Sequence, residues 1–162
     1  MVSLNSLGQE FEALMDEVDF YFDRETEKVV FVDTYNYNFD EDDEDVFDGD
    51  DEDDDEESVD EEFLYNQTLN QQIKTEPGRF VQLPSKYEIN EWQIMSDFVD
   101  DRPDGERKEI LQDSIHGKGA FRMFRNMIER FDLLEDWYRF KAAAYREKAR
   151  EWCEENDIEY TE

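Results

Sequence analysis

The sequence has one cysteine and one histidine, and these shortages restrict the chemistry that the chain can carry. Cys153 is the only cysteine among 162 residues, which excludes an intramolecular disulfide and a cysteine-based metal cluster. It follows Trp152 in a predicted helix, where we expect a buried structural thiol. His116 is the only histidine, and a histidine at a helix end is more typical of a dipole partner than of a catalytic base. We therefore assign no catalytic residue, no metal site and no cofactor, and we favour a non-enzymatic protein.

Long apolar runs and basic residues are also scarce. No run approaches the roughly 20 residues of a membrane span, and the first residues lack the pattern of a signal peptide. We therefore expect a cytoplasmic protein without membrane contact. Lys and Arg number 17 against 48 Asp and Glu, a formal net charge of −31. This charge disfavours nucleic acid as a ligand of the intact chain and favours a basic protein partner. Alternatively, the charge only provides solubility.

More than half of the net charge, −17 of −31, lies in residues 40–79, and its densest part is the acidic run, residues 40–57. Fifteen of these eighteen positions are carboxylates. Such a run repels itself and buries no apolar surface, which predicts a disordered segment. With Gly49 at the sixth position of a calcium-binding loop, Val46 would fall on a ligand position, so we expect no shaped metal site. The residues predicted to bind a partner are Asp40, Glu41, Asp42, Asp43, Glu44, Asp45, Phe47, Asp50, Asp51, Glu52, Asp53, Asp54 and Asp55.

Hydrophobic periodicity predicts an α+β fold. Apolar residues from Leu4 to Val18 recur at helical spacing, with Ser6 and Gln9 as a capping box. Residues 19–23 and 29–33 are aromatic or β-branched runs around a five-residue polar loop, a pattern typical of a β-hairpin. Residues 79–83 predict a third strand, so that the acidic run would leave and re-enter one domain. Because an isolated hairpin is marginally stable, we expect a helix against it, and the N-terminal helix is the first candidate.

From Ser85 onward the pattern predicts an array of about four helices. Ser85 and Glu88 form a capping box, and residues 103–105 break the first helix. The second helix ends at Gly117 and the third begins at Gly119. The fourth is the longest, and Asp132 with Glu135 would cap it. The residues expected to face the core are Trp92, Met95, Phe98, Val99, Ile110, Leu111, Ile115, Phe121, Phe124, Met127, Ile128, Phe131, Leu134, Tyr138, Ala142, Tyr145, Ala149 and Trp152.

The chain therefore divides into four regions. Residues 1–39 hold the N-terminal helix and the hairpin, and residues 40–62 form the acidic disordered segment. Residues 63–78 contain a weak helix and a linker. Residues 79–162 contain the third strand and the helical domain.

Several short segments resemble one bacterial family. They are Tyr21–Val30, Arg79–Val81, Met95–Val99, Gly117–Phe124 and Glu151–Asn156. Together they resemble the uncharacterised protein family numbered 0158, over most of residues 6–33 and 79–160. The sequence departs from the family pattern at Glu27, where a glycine is expected in the hairpin loop, and in the density of the acidic run. The resemblance implies a small bacterial cytosolic protein and no particular activity.

Our leading functional hypothesis is an interaction or regulatory protein whose acidic run binds a basic partner protein. A nucleic-acid-binding protein is a natural candidate for that partner, because its surface is basic. Apolar side chains in and around the acidic run would add anchors to the electrostatic attraction. These anchors are Tyr35, Tyr37, Phe39, Val46, Phe47 and Phe63.

A second hypothesis places a phosphate or nucleotide at Gly117, Lys118 and Gly119, with Arg122 and Arg125 on the helix that follows. Backbone N–H groups at a helix start, together with cations, suit an anion. The segment is neither a Walker A nor a dinucleotide motif, and its glycines equally suit a plain interhelical turn. Residues 117–150 carry nine bases and five acids, so a nucleic-acid-binding helical domain masked by the acidic run is a further alternative.

Overall fold

The computed structural model describes residues 1–33 and 61–162, and its elements form the α+β fold predicted from the sequence. Of the predicted disordered segment, residues 40–60 lie outside the described residues, whereas Glu61 and Glu62 are the first residues of helix α2. The elements in chain order are β1 (Val2–Ser3), α1 (Leu4–Glu12), β2 (Val18–Asp23), β3 (Lys28–Asp33), α2 (Glu61–Thr75), β4 (Phe80–Gln82), α3 (Lys86–Ile89), α4 (Glu91–Asp100), α5 (Glu106–Ser114), α6 (Ala120–Arg130), α7 (Leu134–Glu155) and β5 (Tyr160–Thr161).

The chain forms two compact units. Unit 1 consists of Met1–Met15 and Pro84–Glu162, and unit 2 is Asp16–Leu83. Unit 2 is therefore inserted in the sequence between the first helix of unit 1 and the remainder of that unit.

In unit 1 the N-terminal helix packs on the longest helix. The Phe11 ring on α1 meets the Trp152 ring on α7 edge to face, with centroids 5.8 Å apart. The approach is close at Gly8, where a Cβ would lie 3.3 Å from the backbone of Arg146. The short strands β1 and β5 pair in parallel, Val2 with Tyr160 and Ser3 with Thr161. Both ends of the described chain thus contribute to one unit.

The start of α1 differs from the prediction. The helix begins at Leu4 with Ser3 at its N-cap, so the predicted capping box of Ser6 and Gln9 is wrong. Pairing of β1 with β5 fixes the chain immediately before Leu4, and the helix starts from there. Val18, which fitted the helical spacing, belongs to β2.

The core of unit 1 contains a cluster of aromatic rings from α4, α6 and α7. Phe98 lies 5.3 Å from Trp137, 5.4 Å from Phe140 and 6.1 Å from Phe124, centroid to centroid. The Phe124 and Trp137 rings are 4.9 Å apart. All four contacts are edge to face, the arrangement that the ring quadrupoles favour. The cluster therefore fixes α4, α6 and α7 against one another.

The buried face of α7 differs from the predicted stripe in its first half. Trp137 is buried, whereas Tyr138, which the stripe included, is 44% exposed. The same face then carries Lys141, whose ammonium lies 3.2 Å from a Glu12 carboxylate oxygen and 3.0 Å from one of Glu91. Because the residue one turn after Trp137 is charged, the sequence pattern did not indicate that this face is buried. The second half of the stripe, with Tyr145, Ala149 and Trp152, is buried as predicted.

Helix caps were also predicted from the sequence at two later helix starts, and one of the two predictions is correct. Ser85 and Glu88 do form the predicted capping box, but the helix they cap is the single turn α3. Asn90 then adopts a left-handed φ of +56° and accepts a hydrogen bond from the Gln93 N–H, which starts α4 as a separate helix. Asp132 also has a left-handed φ of +56°, so it lies in the turn before α7 and the predicted cap there is wrong.

Unit 2 contains the predicted three-stranded antiparallel sheet, in the order β3-β2-β4. Phe20 pairs with Phe31 across the hairpin, and Phe22 pairs with Val29 on one side and Val81 on the other. The helix that packs on β3 in this unit is α2. The sequence pattern had predicted that the N-terminal helix would pack on the hairpin.

The hairpin loop has a left-handed residue at the position where the resemblance implies a glycine. Glu27 has a left-handed φ of +55°, and its N–H donates to the Asp23 carbonyl at 2.8 Å. Glycine adopts this conformation at the lowest cost. Glu27 therefore adopts a backbone conformation that the expected glycine would also adopt.

Candidate partner-binding site

The acidic run, which is the predicted partner-binding site, lies outside the described residues. All thirteen of its predicted binding residues, from Asp40 to Asp55, are outside the part that the structure describes. The predicted anchors Tyr35, Tyr37, Phe39, Val46 and Phe47 lie there too, as does the side chain of Phe63. The structure does describe the elements on either side of the run.

Those flanking elements belong to the same unit. β3 ends at Asp33 and α2 begins at Glu61, and the two elements pack against each other. Further along the chain, β4 joins the hairpin by pairing with β2. The acidic run therefore connects two parts of one unit, as the sequence predicted.

Three large apolar side chains are exposed on these flanking elements. Phe31 on β3 is 54% exposed, and Leu64 and Tyr65 on α2 are 47% and 59% exposed. Single exposed apolar residues are common on protein surfaces, but these three lie on the two elements that bracket the run. The sequence did not single them out, because Phe31 fits a strand pattern and the apolar pattern of α2 is weak. They add apolar surface to the unit that carries most of the negative charge.

The division into units also separates the charge. Residues 16–83 carry 26 acids and four bases, a net charge of −22, and unit 1 carries the remaining −9. An approaching cation is attracted mainly to unit 2, because the field follows the density of charge.

Asp23 and Arg79 form a clamp between the hairpin loop and β4. The Arg79 Nε donates to Asp23 Oδ1 at 2.8 Å and Nη2 donates to Oδ2 at 2.9 Å. The carboxylate also accepts from the Glu25 N–H at 3.0 Å and from the Thr26 hydroxyl at 2.9 Å. The hydrogen bonds from Arg79 hold the pKa of Asp23 well below its usual range, against the opposing effect of burial. This carboxylate is ionised at neutral pH and accepts four hydrogen bonds, so it stabilises the fold of unit 2.

The predicted phosphate site forms an exposed turn before α6. Gly117 and Gly119 have left-handed φ values of +89° and +74°, and a Cβ at either position would meet no heavy atom within 4 Å. Lys118 and Arg122 are exposed. Arg125 is engaged elsewhere, with its Nε 3.3 Å from Glu129 and its guanidinium 5.7 Å from the Tyr138 ring. The turn conformation accounts for both glycines, and phosphate binding here stays a prediction.

The sole histidine is exposed beside an aromatic ring, and the sole cysteine lies in the core. The His116 ring lies 6.2 Å from the Trp92 ring, and the nearby Ser114 hydroxyl donates to the Leu111 carbonyl at 2.7 Å. Cys153 is fully buried, and burial raises the pKa of its thiol to about 11. The prediction of a structural thiol is confirmed.

Within residues 1–33 and 61–162, no group of three or more His, Cys, Asp or Glu side chains is arranged to hold a metal ion. In the same part of the chain, every helix is too short or too polar to cross a bilayer.

Taken together, these features define a two-unit α+β protein in which an acidic connection is inserted into the smaller, sheet-containing unit. The chain belongs to the bacterial uncharacterised protein family UPF0158, whose family model matches residues 1–162. The resemblance noted in the sequence is therefore confirmed. The chain is also 26% identical over 88 residues to the UPF0158 protein PA5073 of Pseudomonas aeruginosa, an alignment that covers 54% of this chain and 58% of the relative. No solved structure matches the chain.

Proposed function

We propose that the protein is a non-enzymatic interaction protein whose acidic run binds a basic partner protein in the cytoplasm. The observation that carries this proposal is the position of the run within unit 2. It joins β3 to α2, the two elements that expose Phe31, Leu64 and Tyr65. A cytoplasmic location suits the free, buried thiol of Cys153, since thiols stay reduced there.

Binding proceeds by long-range attraction followed by short-range contact. A net charge of −22 on unit 2 accelerates the encounter with a cationic surface and makes the association rate salt-dependent. Apolar side chains beside the run then slow dissociation, because buried apolar contacts contribute mainly to the lifetime of a complex. A nucleic-acid-binding protein is one candidate partner, because its binding surface is basic.

The experiment compares three forms of the full chain. The first is wild type. In the second, every Asp and Glu of residues 40–57 is replaced by Asn and Gln. In the third, the order of residues 40–57 is shuffled so that all fifteen carboxylates remain. Each form captures proteins from bacterial lysate at low and high salt, and the affinity of a recovered partner is then measured with purified components.

We expect the wild-type and shuffled forms to bind a basic partner at low salt, and the neutralised form to lose it. Thermal unfolding should be nearly the same for all three forms. Binding by the neutralised form that matches wild type would overturn the proposal. A Tyr65→Ala variant, at an exposed position, should bind at the same rate and dissociate faster.

A further inference from the structure

A second candidate site lies in unit 1, at the turn between α4 and α5. A cavity of about 480 Å³ is present there. Small-molecule sites typically occupy about 300–1,000 Å³. Its apolar lining includes Pro103, Leu111 and Leu133, and Leu111 is only 1% exposed. The cavity therefore offers an apolar floor of a suitable size for a small ligand.

Two arginines at this cavity lie on aromatic rings, and Arg102 also forms an ion pair with Asp101 at 3.2 Å. The Arg102 guanidinium lies 4.2 Å from the Phe98 ring, and its Nε donates to the Phe98 carbonyl at 3.3 Å. The Arg107 guanidinium lies 5.2 Å from the Phe131 ring. Contacts with rings and carbonyls hold a cation in place without cancelling its charge.

A lysine completes the cationic lining. The Lys108 ammonium donates to the Asp100 carbonyl at 2.9 Å and lies 3.4 Å from a carboxylate oxygen of Asp104. The Asp104 side chain is fully exposed, and Asp101, which pairs with Arg102, is 66% exposed. Exposed ion pairs contribute little energy, so a bound anion can take the place of these carboxylates. Glu106 is the second acid of the lining, which leaves three cations against two acids.

We propose that this cavity binds a small amphipathic anion, a carboxylate with a short alkyl or aromatic body. The carboxylate is held by Arg107, Lys108 and Arg102, where charge-assisted hydrogen bonds are strong. The apolar body covers Leu111 and Leu133. This site is separate from the acidic run, so its test does not depend on the proposed function.

The test uses the full chain and three eight-carbon probes with different heads: octanoate, octylamine and octanol, each below the concentration at which it forms micelles or separates from water. Calorimetry measures binding to wild type, to Arg107→Gln and to Lys86→Gln. Lys86 is an exposed cation of unit 1 that does not line the cavity. We expect saturable binding of octanoate at one site, at least tenfold weaker in Arg107→Gln and unchanged in Lys86→Gln.

Three results would overturn the inference. The first is that octylamine or octanol binds wild type as tightly as octanoate does, since the cations would then have no role. The second is that Arg107→Gln keeps the wild-type affinity for octanoate. The third is that no probe binds wild type. The first and third results concern the wild-type protein alone, so they do not depend on how well any variant folds.

Discussion

Replacement of Phe98 by alanine should remove a large part of the stability of unit 1. The Phe98 side chain is completely buried, and its ring contacts the rings of Phe124, Trp137 and Phe140. Phe→Ala substitutions in protein cores cost about 3–5 kcal/mol, depending on how far the site can collapse. Three large rings border this site, and each ring contact contributes about 0.5–1.5 kcal/mol beyond its buried area. We therefore expect a loss of about 4–5 kcal/mol, a large part of the 5–15 kcal/mol typical of a whole domain.

The three tryptophans make this prediction measurable in one unit. Trp92, Trp137 and Trp152 all lie in unit 1, so tryptophan fluorescence during urea unfolding reports that unit. The expected result is a lower urea midpoint with an unchanged slope. Phe98→Leu, which keeps most of the apolar volume, should lose about 1.5–3 kcal/mol through the missing ring contacts.

Tyr87→Ala is the matched control, because Tyr87 is 91% exposed and surface substitutions usually change stability by less than about 0.5 kcal/mol. If Phe98→Ala loses less than about 1 kcal/mol, the aromatic cluster does not stabilise unit 1 and the reasoning fails.

Three further predictions concern single side chains. Because the folded-state pKa of Asp23 is depressed by Arg79, its ion pair stabilises the fold above the ordinary value of 3.8 and this contribution is lost as the pH falls below it. Urea unfolding followed by circular dichroism should thus show a constant advantage of wild type over Asp23→Asn from pH 7 to pH 5 that shrinks in more acidic solution; a constant difference down to pH 2 would contradict the pairing. The Cys153 thiol, buried and with a pKa raised to about 11, should resist a thiol reagent at pH 8 in the folded protein and react at once in guanidinium, whereas rapid labelling of the folded protein would show that the helix opens. If Gly117–Gly119 binds phosphate, ATP binding should saturate for wild type and for Lys86→Ala but not for Lys118→Ala. The same result for all three proteins would show that this segment is only an interhelical turn.

The elements that the sequence predicted well are those with local signals. The hairpin follows from two β-branched runs around a polar loop, and the capping box of Ser85 and Glu88 is present as expected. The predictions fail where residues distant in the sequence determine the local structure. The start of α1 depends on pairing with β5 at the other end of the chain, and two-residue strands leave no periodic pattern. The Trp137 face of α7 was hidden because Lys141 continues it, and only the folded chain supplies that lysine with Glu12 and Glu91.

The candidate sites show the same limit. The acidic and aromatic residues are evident in the sequence, and they led to the prediction that the acidic run binds a partner. The clamp of Asp23 and Arg79 joins residues 56 positions apart, and neither position carries a signal on its own. The cationic cavity is equally invisible in the sequence, because Leu133 reaches it from beyond α6. Exposure of Phe31 also could not be deduced, since its cross-strand neighbour Phe20 is buried.

The insertion of unit 2 into unit 1 has a consequence for the order of events during synthesis on the ribosome. Unit 2 is continuous in sequence and can fold once residue 83 has emerged. Helix α1 must wait for α7, since Phe11 packs on Trp152, which is made 141 residues later. At about 5–20 residues per second, its apolar face remains uncovered for roughly 7–28 s. Helix α1 is therefore made long before it is buried, and the nascent chain carries its highly charged middle segment for most of that interval.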